Sequence, residues 1–435
     1  MTSSILSINR EEESHVVVSK LQSAMEDTNL LEVSFNHTDF DDTIVATFLE
    51  LLATPRSKDH DGLWKNVSFF NCTGKLADAI HRAAATNSIA RISLVRNLER
   101  LESYEFLRTM LQATTSLRSL RISIPFEAAE DAAFLADGLQ QNTSLESVDF
   151  RWSAFDSDEC VVALSRGLAA NQTLTHLHFS SCSLSDDQIY EVCSALRDHP
   201  NLETLDLESN NCGDKGGRQI AALLESHNCG LKELNLSFQQ RNMVNGKLDC
   251  GPVIAALRYN KSLQSLHFTC NGLVDEDAEA IGQILVENSC LEELYLARNK
   301  LTDGGIKKLA NHLPAMQGLK KLSLWGNKIT EDGALTLLDG VKQNTDMQGI
   351  NLFRQYRCSS QIQYYTNINR GGRRFFLANP NDTVVGICPH LVERVNRIKL
   401  ITRKEDIADE ASARADMIHY LLQQSVGMIV QEQVK

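Results

Sequence analysis

The stretch LEELYLARNKLTDGGIKKLANHLPAM, residues 291–316, carries two periodicities in one short piece of chain. With Leu291 as position i, Leu294 and Leu296 follow at i+3 and i+5, an alternation of two residues that predicts a short strand. Asn299 stands at i+8, Leu301 at i+10 and Gly305 at i+14. Ile306, Leu309, Ala310 and Leu313 then fall at i+15, i+18, i+19 and i+22, the spacing of one helical face. One unit therefore reads strand, loop, helix.

The same register starts again at Leu30, Trp64, Ile89, Leu117, Leu145, Leu174, Leu202, Leu231, Leu263, Leu291, Leu319 and Met347. Eight of the eleven gaps are 28 or 29 residues. Strand triplets such as Leu202, Leu205, Leu207 recur with helix quartets such as Ile189, Val192, Cys193, Leu196. No single unit can bury both sets, so neighbours must stack and share a core. Asparagine at i+8 (Asn97, Asn210, Asn271, Asn299, Asn327) predicts an amide that satisfies loop backbone groups, with Cys72 and Cys182 as substitutes.

The pattern L-x-x-L-x-L-x-x-N-x-L-x-x-x-G with a helix and a period of 28–29 resembles the ribonuclease-inhibitor-type leucine-rich repeat family. That resemblance implies an α/β fold: a right-handed solenoid, or horseshoe, with parallel strands on the concave side and helices on the convex side. It implies about 12 repeats over residues 30–355, an N-terminal capping unit at 1–29 and a helical C-terminal cap or extension at 356–435. The family's members bind other proteins, which implies a scaffold. Its alternatives are a GTPase-activating protein of the nuclear-transport-GTPase regulator type, with a small GTPase as partner, and a sensor or regulatory repeat protein.

Composition narrows the partners. A formal charge of -13 argues against a nucleic-acid or anionic-membrane binder, which needs a basic face. The first residues lack a basic segment followed by an apolar run, and no stretch approaches the ~20 apolar residues of a membrane span. A cytoplasmic location is the expectation. Eleven cysteines occur without a C-x-x-C pair or zinc spacing, and Cys160, Cys193 and Cys212 fall on core positions. After Met347 the register fades, and residues 356–435 carry 11 Lys+Arg against 8 Asp+Glu. The NRGGRR stretch at 369–374 and the helical pattern beyond it are similar to C-terminal segments of algal and diatom repeat proteins.

No enzyme motif emerges. The glycine-rich GDKGGRQ (213–219) and NRGGRR lack the phosphate-wrapping G-x-x-x-x-G-K-[ST], and TGKLAD (73–78) has leucine where the hydroxyl belongs. His176 and His178 share a strand face with no further ligand nearby, so neither cofactor nor metal is expected. What remains is the surface whose identity the core does not dictate: positions i+2, i+4, i+6 and i+7. There the expected partner-binding residues are Phe238, Glu293, Tyr295, Arg298, Lys321, Trp325, Phe353 and Arg354, with Arg151 and Trp152 in an earlier repeat. Aromatics mixed with arginine are the composition of interface hot spots. The gap of 32 after Leu231 places extra residues in SFQQRNMVNGKLD (237–249), whose Arg241 joins the list and whose Gln239, in the asparagine position, predicts an altered turn.

Overall fold

The fold is that of a computed structural model, which describes residues 4–9, 13–27, 29–54, 63–95, 104–239, 248–352 and 356–370. The chain divides into two compact units, Met1–Asp249 and Cys250–Lys435.

In the first unit the parallel strands lie side by side in chain order. They are β1 (Ser4–Ile8), β2 (Leu30–Asn36), β3 (Asn66–Phe70), β4 (Arg91–Val95), β5 (Ser119–Ser123), β6 (Ser147–Asp149), β7 (His176–His178), β8 (Thr204–Asp206) and β9 (Glu233–Asn235). One helix follows each of the first eight: α1 (Ser14–Ala24), α2 (Asp42–Ala53), α3 (Leu76–Ala85), α4 (Glu105–Ala113), α5 (Ala129–Gln141), α6 (Asp158–Ala170), α7 (Asp186–Leu196) and α8 (Asp214–Leu224). The i+3 residues pair across successive strands as one buried ladder: Val67, Ile92, Leu120, Val148, Leu177, Leu205 and Leu234. Phenylalanines at i+5 stack behind it, with the Phe150 and Phe179 rings 4.8 Å apart. Cys160, Cys193 and Cys212 are buried, as expected of small apolar fillers, and burial pushes the Cys193 thiol up to about 12.

The second unit begins with α9 (Gly251–Ala256) and continues β10 (Ser265–His267), α10 (Asp275–Glu287), β11 (Glu293–Tyr295), α11 (Asp303–His312), β12 (Lys321–Ser323), α12 (Glu331–Gln343), β13 (Gly349–Asn351) and α13 (Ser359–Arg370). Its ladder is Leu266, Leu294, Leu322 and Ile350. Each unit is thus an α/β stack of leucine-rich repeats, and every predicted unit start lies in the buried core.

Two rows of polar side chains hold the loops. The i+8 row is the one the sequence predicts: Asn210 donates to the carbonyls of Phe179 (2.8 Å) and Leu207 (2.9 Å), and Leu184 N–H donates to its Oδ1. Cys182 substitutes by donating its thiol to Phe150 O at 3.0 Å. Gln239, contrary to the altered turn expected there, fills the same role. Its Nε2 donates to Leu207 O (2.7 Å) and its Oε1 accepts from Cys212 N–H (3.1 Å), because the longer amide still spans the gap. Asn97 and residues 240–247, including Arg241, lie outside the described residues.

The second row escaped sequence reading. Asn142, Asn171, Asn260, Asn288 and Asn344 sit buried three residues before a unit start, all but Asn260 as the residue that caps the end of a helix. Asn344 donates to Leu313 O (2.7 Å) and accepts from Asp346 and Met347 N–H. The signal was present as the recurring N-x-x-L of QNTSL, ANQTL, YNKSL and ENSCL. The repeat also runs further than the fading register implies: α13 packs Cys358 and Ile362 against Ala334 and Leu338, and Asn369 donates to Asn344 O and Met347 O, both at 3.0 Å. The NRGGRR segment from residue 371 onward, and with it the algal resemblance, lies outside the described residues.

His199 occupies this second row in place of asparagine, accepting from Asn201 N–H at Nδ1. Burial lowers its pKa below the ordinary 6.5, so the folded protein holds it neutral. Below about pH 6.5 the unfolded chain then binds more protons than the folded one. Stability contributed by this site is full above that pH and is lost as pH falls through the lower folded-state value. Replacing His199→Asn is expected to flatten the decline in unfolding midpoint between about pH 7 and about pH 5.5. An unchanged decline in the variant would contradict this assignment.

Candidate functional site

In nine of the repeats the loop leaving the strand takes a left-handed turn at i+7, Ile124 being an exception among the described residues. Residues His37, Asn71, Trp152, Ser181, Ser209, Phe238, Cys270 and Arg298 have φ between 50° and 70°, and Gly326 has φ 75°. A bulky side chain in that region costs about 1–2 kcal/mol relative to glycine. Serine, asparagine and glycine suit the position, whereas Trp152, Phe238 and Arg298 do not. Fold geometry alone gives no reason for them. Trp152→Gly is expected to stabilise the first unit by about 1 kcal/mol, read as a higher unfolding midpoint; a lower midpoint would show that the ring supports the fold.

In the second unit the expected partner-binding residues converge. Cross-strand register sets Glu293 opposite Lys321 and His267 opposite Tyr295. Lys321 Nζ lies 2.8 Å from Glu293 Oε1, Tyr295 donates its hydroxyl to Glu293 Oε2 at 2.7 Å, and the His267 and Tyr295 rings stack at 4.1 Å. Partial burial pushes the Glu293 carboxyl up, but donation from Lys321 and Tyr295 outweighs it and holds the pKa below the ordinary value. One step further along the same strands, the exposed Arg298 guanidinium lies over the Trp325 ring, 4.7 Å from its centroid. The Arg298 main chain is tied to it as well, its N–H donating to Trp325 O at 2.7 Å. Three successive repeats thereby present a stacked His–Tyr pair, a carboxylate shared by a lysine and a tyrosine, and an arginine–tryptophan pair. Each side chain is oriented by a neighbour, which lowers the entropy lost on docking. Phe353 and Arg354 lie outside the described residues.

The other expected residues belong to the first unit. Phe238 is half-buried at its left-handed turn. Arg151 is already engaged: Nε and Nη2 donate to the Asp149 carboxylate, with Nη2 at 2.7 Å, and Arg121 Nε stands 3.7 Å from the same group. Burial pushes the Asp149 pKa up, but the Arg151 hydrogen bonds and both arginine charges hold it below its usual value. Trp152, beside them, is 63% exposed. Sequence reading missed His267 as a partner of Tyr295 and Asp149 as the anchor of two arginines. His267 with Tyr295 and Arg121 with Asp149 follow once the strands are aligned, since each pair shares the i+4 position of adjacent repeats, while Arg151 stands two residues beyond Asp149 in the same repeat. His178 Nδ1 meets Asp206 at 3.6 Å, and among the described residues no group of three or more His, Cys, Asp or Glu is placed to hold a metal ion.

Sequence comparison with known proteins agrees with this architecture. Residues 170–187, 198–221, 259–282 and 287–310 match the family model described as Leucine Rich repeat. The ribonuclease inhibitor of Sus scrofa is 31% identical over 99 residues, covering 23% of this chain and 21% of that protein. The NACHT, LRR and PYD domains-containing protein 14 of Homo sapiens is 28% identical over 175 residues, covering 40% of this chain and 16% of its own. The chain therefore spans about a fifth or less of the length of these relatives. Among solved structures, an internalin from Listeria monocytogenes aligns over 75% of this chain and 82% of its own with a TM-score of 0.43 and 15% identity. The chain thus carries leucine-rich repeats and is similar, over part of its length, to proteins of the ribonuclease-inhibitor type. Among the described residues no helix is long and apolar enough to cross a membrane.

Proposed function

We propose that this chain is a non-catalytic, cytoplasmic protein-interaction scaffold that seats another protein on the strand-lined face of its second unit, with neither nucleic acid nor membrane as its target. The observation that carries the reading is the Arg298–Trp325 pair beside Tyr295, Glu293 and Lys321, an aromatic and charged patch oriented before any partner arrives. Its similarity to a ribonuclease inhibitor, a protein whose name records action on another protein, supports the class. The ten described cysteines are free thiols, which suits a reducing compartment.

Affinity purification with the full chain from its native organism tests the site. Trp325→Ala and Tyr295→Ala are each expected to weaken capture of one specific partner by on the order of 30-fold, the effect of removing a hot spot worth about 2 kcal/mol. An unchanged set of partners with both variants would remove the patch from consideration.

A further inference from the structure

The first unit carries a second arrangement on its strand face. Arg91, Arg121 and Arg151 occupy i+2, i+4 and i+6 of three successive repeats, so each step moves one strand across and two residues along. That places them on a diagonal with about 8 Å between neighbours. Arg91 is exposed and makes no ion pair among the described residues. Arg121 and Arg151 share the single Asp149 carboxylate, and the Arg121 Nε is buried with no hydrogen-bond partner. Asp149 is the one carboxylate that these arginines contact directly, with the charges of Asp206 and Glu208 also acting on Arg151. Trp152 stands at the end of the diagonal with φ 70°, and its ring meets no other ring or cation among the described residues. Internal packing explains neither an exposed Arg91 without an ion pair nor the strained tryptophan.

We propose that this diagonal binds an extended acidic peptide, whose carboxylates at alternate residues meet Arg91, Arg121 and Arg151 while an aromatic or proline ring lies on Trp152. Side chains on one face of an extended chain repeat every ~7 Å, close to the arginine spacing once arginine reach is included. Arg151 gives its Nε and Nη2 to Asp149, which orients the guanidinium and leaves Nη1 for a peptide carboxylate. A peptide is favoured over a nucleic acid because the basic stretch ends quickly: Asp206 and Glu208 face the same side two repeats on, and a longer polyanion would run onto them. The site is separate from the second-unit patch and shares no residue with it.

Fluorescence anisotropy of the full chain with a fluorescein-labelled Pro-Glu-Thr-Glu-Thr-Glu-Pro peptide tests the proposal, with the glutamine counterpart and a dT12 oligonucleotide alongside. Saturable binding of the glutamate peptide is expected, at least tenfold tighter than the other two. Arg91→Gln, at an exposed position, is expected to weaken it at least fivefold. Trp152→Gly is expected to weaken it at least tenfold while melting at a higher temperature than the parent, a divergence that a purely structural role for Trp152 does not produce. Absence of saturable binding, equal binding of the glutamine peptide, tighter binding of the oligonucleotide, or parental affinity in both variants would each overturn the proposal. Partner capture through Tyr295 and Trp325 is a separate readout, so either site can fail alone.

Discussion

Asn299→Ala is expected to destabilise the second unit by about 4 kcal/mol. The side chain is only 6% exposed and serves two repeats at once. Its Oδ1 accepts from Asn271 N–H (2.9 Å) and Leu273 N–H (3.1 Å), while Nδ2 donates to Phe268 O (3.0 Å) and Leu296 O (2.9 Å). Alanine leaves these backbone groups buried, and each unsatisfied group costs about 1–3 kcal/mol, offset in part where a carbonyl keeps another donor. Asn299→Cys separates the two halves of the role. A thiol can donate as Cys182 does toward Phe150 O, yet it cannot accept the two N–H groups well, so about half the loss is expected. Urea unfolding followed by tryptophan emission, with Trp64→Phe and Trp152→Gly in the background so that Trp325 alone reports, measures both variants. A loss below about 1 kcal/mol for alanine would mean that the loop satisfies itself without the amide.

Gly333→Ala is expected to cost about 2–3 kcal/mol for a different reason. A Cβ at this position would stand 2.1 Å from Asp303 Oδ1, and that carboxylate cannot simply withdraw. It accepts from Thr330 N–H at 2.8 Å and from the Thr330 hydroxyl at 2.5 Å, joining the start of one helix to the start of the next. The same fitting of an aspartate against a glycine recurs at Asp275 with Gly305 and at Asp186 with Gly216. For Asp275, burial pushes the pKa up but donation from Thr302 holds it below the ordinary value, so the carboxylate is charged where it docks. Combining Gly333→Ala with Asp303→Ala is expected to cost less than the sum of the two single changes, because the clash and the lost cap involve the same oxygen atoms. Additive losses in the double variant would show that the glycine is required for some other reason.

How far the sequence could be read follows from which constraints are local. Apolar spacing alone located the strand triplets and helix quartets, since burial on a strand has period two and on a helix period 3.6 regardless of the neighbours. The i+8 asparagines were legible for the same reason, as a fixed residue at a fixed place. Less accessible were contacts set between repeats. Gln239 in the asparagine position predicts an altered turn, yet one more methylene changes reach, not role. The helix-ending asparagines were hidden among other polar loop residues, and only the carbonyls they meet in the preceding repeat distinguish Asn288 or Asn344 from any exposed asparagine. In the candidate site the sequence supplied Tyr295, Arg298 and Trp325 but not their geometry. That His267 stacks on Tyr295, or that Arg298 covers Trp325, depends on cross-strand register and on the left-handed turn at i+7. The pairing of Arg151 with Asp149 changed its meaning too, from a free hot-spot arginine to one already fixed in place.

The claim that the strand-lined face of the second unit is the docking surface is tested most directly by amide hydrogen exchange of the full chain with and without its captured partner. Protection is predicted at residues 293–298 and 321–327, with amides of α10, α11 and α12 unchanged. Protection confined to those helices, with the Tyr295 and Trp325 segments exchanging as in the free protein, would contradict it.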